Sequence, residues 1–204
     1  MGLHTKLRRL SPHKARRRRL PFPAAPHLRA AQLDAPALFE SVEAFPRDRW
    51  NALETFRPHI LVGSTADLED IAEWVRRNAA DLSSVDHAVF ALTARGGQPL
   101  TDVPRVVFWQ AFGVPVYELF LGAGGVLLAA ECEAHEGWHA EHNVRFFAGA
   151  NGELMYQVRG AQPSRTGLRG SLENQPCLCG KSGDRVLDLE PLIFTAPLRL
   201  AATA

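Results

Sequence analysis

His59-Ile60-Leu61-Val62-Gly63-Ser64-Thr65 decides the fold class. An apolar run ends in a Gly-Ser-Thr turn, which reads as a buried strand delivering the chain into a helix. The turn can cap that helix, and Asp67 and Glu69 lie near its positive end. Leu68, Ile71, Ala72 and Val75 then share one face of a helix over about 66–79. Ala88-Val89-Phe90-Ala91-Leu92 reads as a second strand. Beyond Gly96-Gly97 the spacing predicts a helix over about 101–112, with Val103, Val106, Val107 and Ala111 turned inward. Val114–Phe120 reads as a third strand. Strand, helix, strand, helix, strand with short joins predicts an α/β fold, a parallel β-α-β-α-β sheet unit with right-handed crossovers.

Outward from this unit the pattern changes. Residues 31–57 read as a helical lead-in, with Trp50, Leu53 and Phe56 at helical offsets. On the other side, Val126–Cys132, Val144–Phe147, Glu153–Val158 and Arg185–Leu189 are short strand candidates separated by Gly, Asn and Pro. They predict a smaller, mostly antiparallel β unit. The α/β module therefore spans 58–190, and 191–204 is a C-terminal tail.

Charge divides the chain as well. Residues 1–30 carry nine basic side chains and no acid, leaving 14 basic and 22 acidic residues in the remainder. The basic residues between Lys6 and Arg19, with prolines at 12, 21, 23 and 26, read as a disordered arm that could meet nucleic acid or another acidic surface. No aromatic residue interleaves with its arginines, so base stacking has no support there. No apolar run reaches the roughly 20 residues of a membrane span. The richest stretch, Val114 to Ala130, is broken by Glu118, Gly122, Gly124 and Gly125. Leu20-Pro21-Phe22-Pro23 after the arginines does not resemble the apolar segment of an export signal, and three cysteines do not form a disulfide scaffold. A cytoplasmic protein is expected.

Those cysteines carry the sharpest chemistry. Cys132 and His139 are separated by six intervening residues, Gly137 among them, and Cys177 and Cys179 flank Leu178 beside Gly180. Three thiolates and an imidazole can close a tetrahedral zinc site, and four protein ligands make such a site structural rather than catalytic. The competing reading is three small buried thiols and a surface histidine. His135 and His142 are substitute ligands for His139. The site would pin a long loop, 159–176, to the strand ending at Cys132.

Several stretches occur in the order found in one family. They are Gly96-Gly97-Gln98-Pro99-Leu100, then Phe112-Gly113-Val114-Pro115-Val116-Tyr117-Glu118-Leu119-Phe120, Ala130-Glu131-Cys132, Glu136-Gly137-Trp138-His139, Gly152-Glu153-Leu154 and Cys177-Leu178-Cys179-Gly180. This order resembles adenylate-forming (AMP-binding) ligases of the phenylacetate–CoA ligase type, over about residues 58–190, the second half of the adenylating domain. The resemblance implies a nucleotide and acyl pocket near Gly97, Gln98, Tyr117, Glu118 and Gly122, and ATP with magnesium as cofactors. It also points to the same four metal ligands.

The departures fall on the chemical positions. The family's Tyr-Gly-x-Thr-Glu signature corresponds here to Phe120-Leu121-Gly122-Ala123-Gly124, so its phosphate-contacting Thr and magnesium-holding Glu become Ala123 and Gly124. Leu168 stands where a ribose-gripping Asp is expected, and Gln98 replaces the turn acid. Gly63-Ser64-Thr65 is too short for a phosphate loop. The expectation is a zinc-stabilised ligase homologue without catalytic residues, a pseudoenzyme acting as a binding or accessory module. Its partner would be a fuller ligase or a missing half, met through an exposed sheet edge; self-association is a further possibility. Two alternatives stand beside it. One is a subunit of a split acyl- or aryl-CoA ligase that activates carboxylates only with a partner chain. The other is a nucleic-acid-associated protein acting through residues 6–19. Tyr117 and Glu118 read equally as one core and one solvent residue, Trp109 and Trp138 as packing residues, and Arg165 as a solvated loop arginine.

Overall fold

Each strand of the parallel unit alternates between two apolar faces, and that alternation sets the architecture. The computed structural model describes Leu20 and residues 28–34 and 37–192. Most of the basic arm and nearly all of the C-terminal tail therefore lie outside the described residues. The parallel strands are β1 (Ala30–Gln32), β2 (Val42–Ala44), β3 (Ile60–Ser64), β4 (Ala88–Ala94) and β5 (Val116–Leu121), in the order β2-β1-β3-β4-β5. Leu61, Val89, Ala91 and Val116 face one cluster, with Leu68, Ile71 and Phe108 from the covering helices. Ile60, Val62, Phe90, Tyr117 and Leu119 face the other, which Leu20 and Phe39 help close.

Among the described residues, three α-helices accompany the strands: α1 (Leu53–Phe56), α2 (Thr65–Asn78) and α3 (Asp102–Phe112). Ser64 caps α2 in a reciprocal box with Asp67, satisfying backbone donors that the helix cannot. Residues 31–57, expected to be helical, instead hold β1 and β2 before a 3₁₀ turn at Arg47–Ala52 and α1. The strands win because Ala30 and Ala31 fill narrow space beside β3, in register with Ile60 and Leu61.

The orientation of α3 also differs from expectation. Phe108 is fully buried, whereas Val103, Val106, Val107 and Trp109 are 75%, 52%, 39% and 56% exposed, and Ala111 is exposed as well. Two aromatic side chains, Phe108 and Phe112, bury more area than the valines could, so they take the sheet-facing side.

The second half is antiparallel: β6 (Leu127–Glu131), β7 (Trp138–Ala140), β8 (Val144–Ala148), β9 (Glu153–Val158), β10 (Ser164–Glu173) and β11 (Arg185–Pro191). It continues the same hydrogen-bonded sheet in the order β5-β6-β7-β11-β10-β9-β8. Phe120, Leu128, Trp138, Phe146, Leu154, Leu168 and Val186 share one core cluster, so strands distant in this order curl around a common interior. The loop expected over 159–176 contains the ten-residue strand β10. No helix among the described residues is long and apolar enough to cross a membrane.

Candidate metal centre

Cys132 follows the last residue of β6, and His139 is the middle residue of β7. Pairing of Ala130 with His139, and of His139 with Arg185, fixes the imidazole between β6 and β11. Gly137 precedes β7 at φ 83°, and a side chain there would strike the Val186 carbonyl, so only glycine lets the chain pass. Cys177 and Cys179 lie between β10 and β11. The Gly180 N–H donates to the Cys177 carbonyl at 2.9 Å, with Gly180 at φ 80°, and this tight turn brings both sulfurs to one side.

The four side chains converge. Their ligand atoms lie within 4.8 Å of one another. Cys132 Sγ is 3.6 Å from Cys177 Sγ, and Cys179 Sγ is 3.5 Å from His139 Nε2. Zn–S and Zn–N bonds of about 2.3 and 2.0 Å in a tetrahedron require about 3.8 Å between sulfurs and about 3.5 Å from sulfur to nitrogen. The donor set could hold a metal ion, and the two short pairs are close to the edges of a zinc tetrahedron. Burial, with like-signed Lys181 and Arg185, lowers the His139 pKa, which favours the neutral form that ligates. Burial raises the Cys177 thiol to about 11. At Cys179 burial acts upward too, but the Lys181 backbone N–H and the neighbouring thiols outweigh it and lower the value.

The substitute histidines stand elsewhere. His135 Nδ1 is 2.9 Å from Glu131 Oε1, and its ring stacks on Tyr117 at 5.2 Å. His142 lines a separate cleft with Arg145 and Arg159.

The five residues expected at a nucleotide or acyl pocket lie on β5 and in the turns at 97–98 and 122. Tyr117 and Glu118 are adjacent on β5 and point to opposite faces. Both are buried, so neither meets solvent as one of them was expected to. Tyr117 packs on Phe90 and His135. Glu118 accepts hydrogen bonds from the Thr93 hydroxyl, from Leu100 N–H at 2.8 Å and from Trp138 Nε1 at 3.0 Å. Gln98 is exposed beside Gly97, while a side chain at Gly122 would meet Leu128 and Tyr156. A cleft of about 500 Å³ includes none of the five; Arg105, Trp109, Glu131 and His135 are among its lining residues. Trp138 is a core residue, as expected, whereas Trp109 stands exposed. Arg165 is not a free loop arginine: it pairs with buried Glu153 at 2.6 Å.

Sequence reasoning passed over Arg105 and Glu131. Glu131 accepts from Arg105 at 2.9 and 3.0 Å and from the Glu118 backbone N–H at 2.9 Å. Its place next to Cys132 was the available signal.

No family model and no curated protein matches this chain. Solved structures do. A 2-hydroxyisobutyryl-CoA ligase in complex with its acyl-adenylate and CoA superposes with a TM-score of 0.60 at 16% identity, over 77% of this chain and 43% of that one. Coronafacic acid ligase from Pectobacterium brasiliense gives 0.55 at 13% identity, over 75% and 39%. An anthranilate CoA ligase in complex with anthranoyl-AMP gives 0.53 at 10% identity, over 71% and 37%. The fold is thus that of part of an adenylate-forming CoA ligase, and the chain spans less than half the length of these structures.

Proposed function

We propose that this protein is a non-catalytic, zinc-stabilised module of the phenylacetate–CoA ligase type that serves as a binding or accessory partner of a fuller ligase. The observation that carries the reading is Leu168. By resemblance it takes the place of the acid that grips ribose, and it is fully buried among Phe120, Leu128 and Trp138. The position has become part of the core. Ala123 and Gly124 likewise bring no oxygen to magnesium or phosphate. Adenylation depends on charge stabilisation by such groups, so their joint loss removes the reaction rather than slowing it.

The exposed apolar face of α3 supports the partner. Val103, Val106, Val107 and Trp109 present a contiguous surface, the kind that marks protein contacts. The edge strands β2 and β8 offer further unpaired backbone.

Calorimetric titration with ATP and magnesium, and separately with an aryl-adenylate analogue, tests the reading. No heat from either and no ATP–pyrophosphate exchange are expected. Exchange by the purified chain would overturn the non-catalytic reading. Tight analogue binding, with activity only on mixing with a partner chain, would favour a split ligase.

A further inference from the structure

Arg185 is buried, 5% exposed, beside the candidate metal centre. Its NH1 donates to Glu136 Oε2 at 2.9 Å and its NH2 to Glu173 Oε2 at 2.5 Å. Its Nε is the one buried side-chain nitrogen or oxygen among the described residues without a hydrogen-bond partner. A buried donor left unused is destabilising, so an acceptor is expected. Cys177 Sγ donates to the same carboxylate oxygen, Glu136 Oε2, at 3.4 Å, which places the thiol beside this guanidinium. Pairing of Arg185 with His139 across β11 and β7 fixes the side chain at the rim of the cluster.

Charge counting gives this placement a purpose. Three thiolates, a neutral imidazole and a divalent ion sum to one negative charge. When the metal binds, the Cys177 proton passes to solvent. The new thiolate is then held beside the Glu136 carboxylate. A fixed cation beside them offsets the repulsion, and Arg185 is the buried cation in contact with Glu136.

We propose that Arg185 is the counter-cation of the metal centre: its free Nε–H turns to the Cys177 thiolate of the metal-bound state and sets the metal affinity without touching the ion. The proposal rests on the zinc reading above. A bland alternative exists, in which Arg185 only ties β10 to β11 through Glu136 and Glu173.

Two substitutions in the full chain separate them, read by zinc competition against a chromophoric chelator and by the thiolate-to-metal absorption of the cobalt(II) form. Arg185→Gln is expected to weaken zinc binding about tenfold or more and to shift the cobalt band, with Arg185→Lys recovering part of the loss. Glu173→Gln, which leaves the guanidinium less neutralised, is expected to tighten zinc binding severalfold; a mere tie would weaken it or leave it unchanged. Because Glu173 is partly exposed, this variant keeps the test open if Arg185→Gln fails to fold. Zinc binding by wild type with unchanged affinity in a folded Arg185→Gln overturns this proposal alone. So does zinc binding by wild type with no tightening in Glu173→Gln. Absence of zinc binding by wild type overturns both this proposal and the zinc reading.

Discussion

Stripping the metal should cost this protein several kilocalories per mole of stability, and the cross-links predict how many. Cys132 and Cys177 are 45 positions apart and His139 and Cys179 are 40 apart, so one ion closes two long, overlapping loops. Treated as a single covalent-like closure of about 45 residues, the chain-entropy relation gives about 4 kcal/mol at 25 °C. Mass action gives a similar figure, about 4 kcal/mol when free zinc is a thousandfold above its dissociation constant. For a chain of this size each kilocalorie moves the melting temperature by about 2–4 °C, so chelation should lower it by roughly 8–16 °C. Scanning calorimetry of zinc-loaded and chelator-treated protein measures this directly. Cys179→Ala should melt near the stripped wild type and lose its response to chelator. Coincident melting of loaded and stripped protein, within about 2 °C, would refute the metal clip.

Three further outcomes follow from the geometry. Phe108→Ala should cost about 3–5 kcal/mol in urea unfolding, while Val103→Ala should change stability by less than about 0.5 kcal/mol; the reverse order would mean that α3 faces the other way. Burial holds the Glu118 carboxyl above its ordinary value, against the opposing pull of its Thr93, Leu100 and Trp138 donors. Stability from such a group is complete below the unfolded value of 4.5 and is lost as pH rises through the higher folded value. The stability difference in favour of wild type over Glu118→Gln should therefore be largest near about pH 4 and shrink toward about pH 7, and urea melts across that range showing growth instead would contradict it. Leu168→Asp, which restores an acid at the position implied by resemblance, should cost more than about 4 kcal/mol and gain no ATP affinity by calorimetry, because it buries an unpaired charge in the core.

What could be read from the residues, and what could not, divides along physical lines. Strands β3, β4 and β5 are apolar on both faces, so Ile60–Val62, Ala88–Ala91 and Val116–Leu121 announce themselves whatever packs on them. The Cys132, His139, Cys177 and Cys179 cluster was legible because thiols and imidazole at short spacing have few other uses, and the turn at Gly180 supplies the bend that alternation along a strand would forbid. Strand β10 was illegible because Ser-Arg-Thr-Gly-Leu-Arg-Gly-Ser-Leu-Glu carries little apolar signal. Its backbone pairs with β9 and β11, and Thr166 and Leu168 are its only buried side chains. Helix α3 misled for the opposite reason: it has two apolar faces, and periodicity alone favours the longer row of valines over two phenylalanines.

That error bears on function. A helix with one apolar face tells only of its own core. A helix whose aromatic residues satisfy the core and whose second face still carries Val103, Val106, Val107 and Trp109 has apolar surface that folding does not use. Leu168 is the complement, a place where the resemblance implies a polar contact and the core has absorbed the side chain. Leu168 is thus buried in the core, and apolar side chains remain exposed on the outer helix. Under the proposed accessory role both features point to association rather than to altered catalysis, since Tyr117 and Glu118, expected together at a pocket, are adjacent on β5 and point to opposite faces of the sheet.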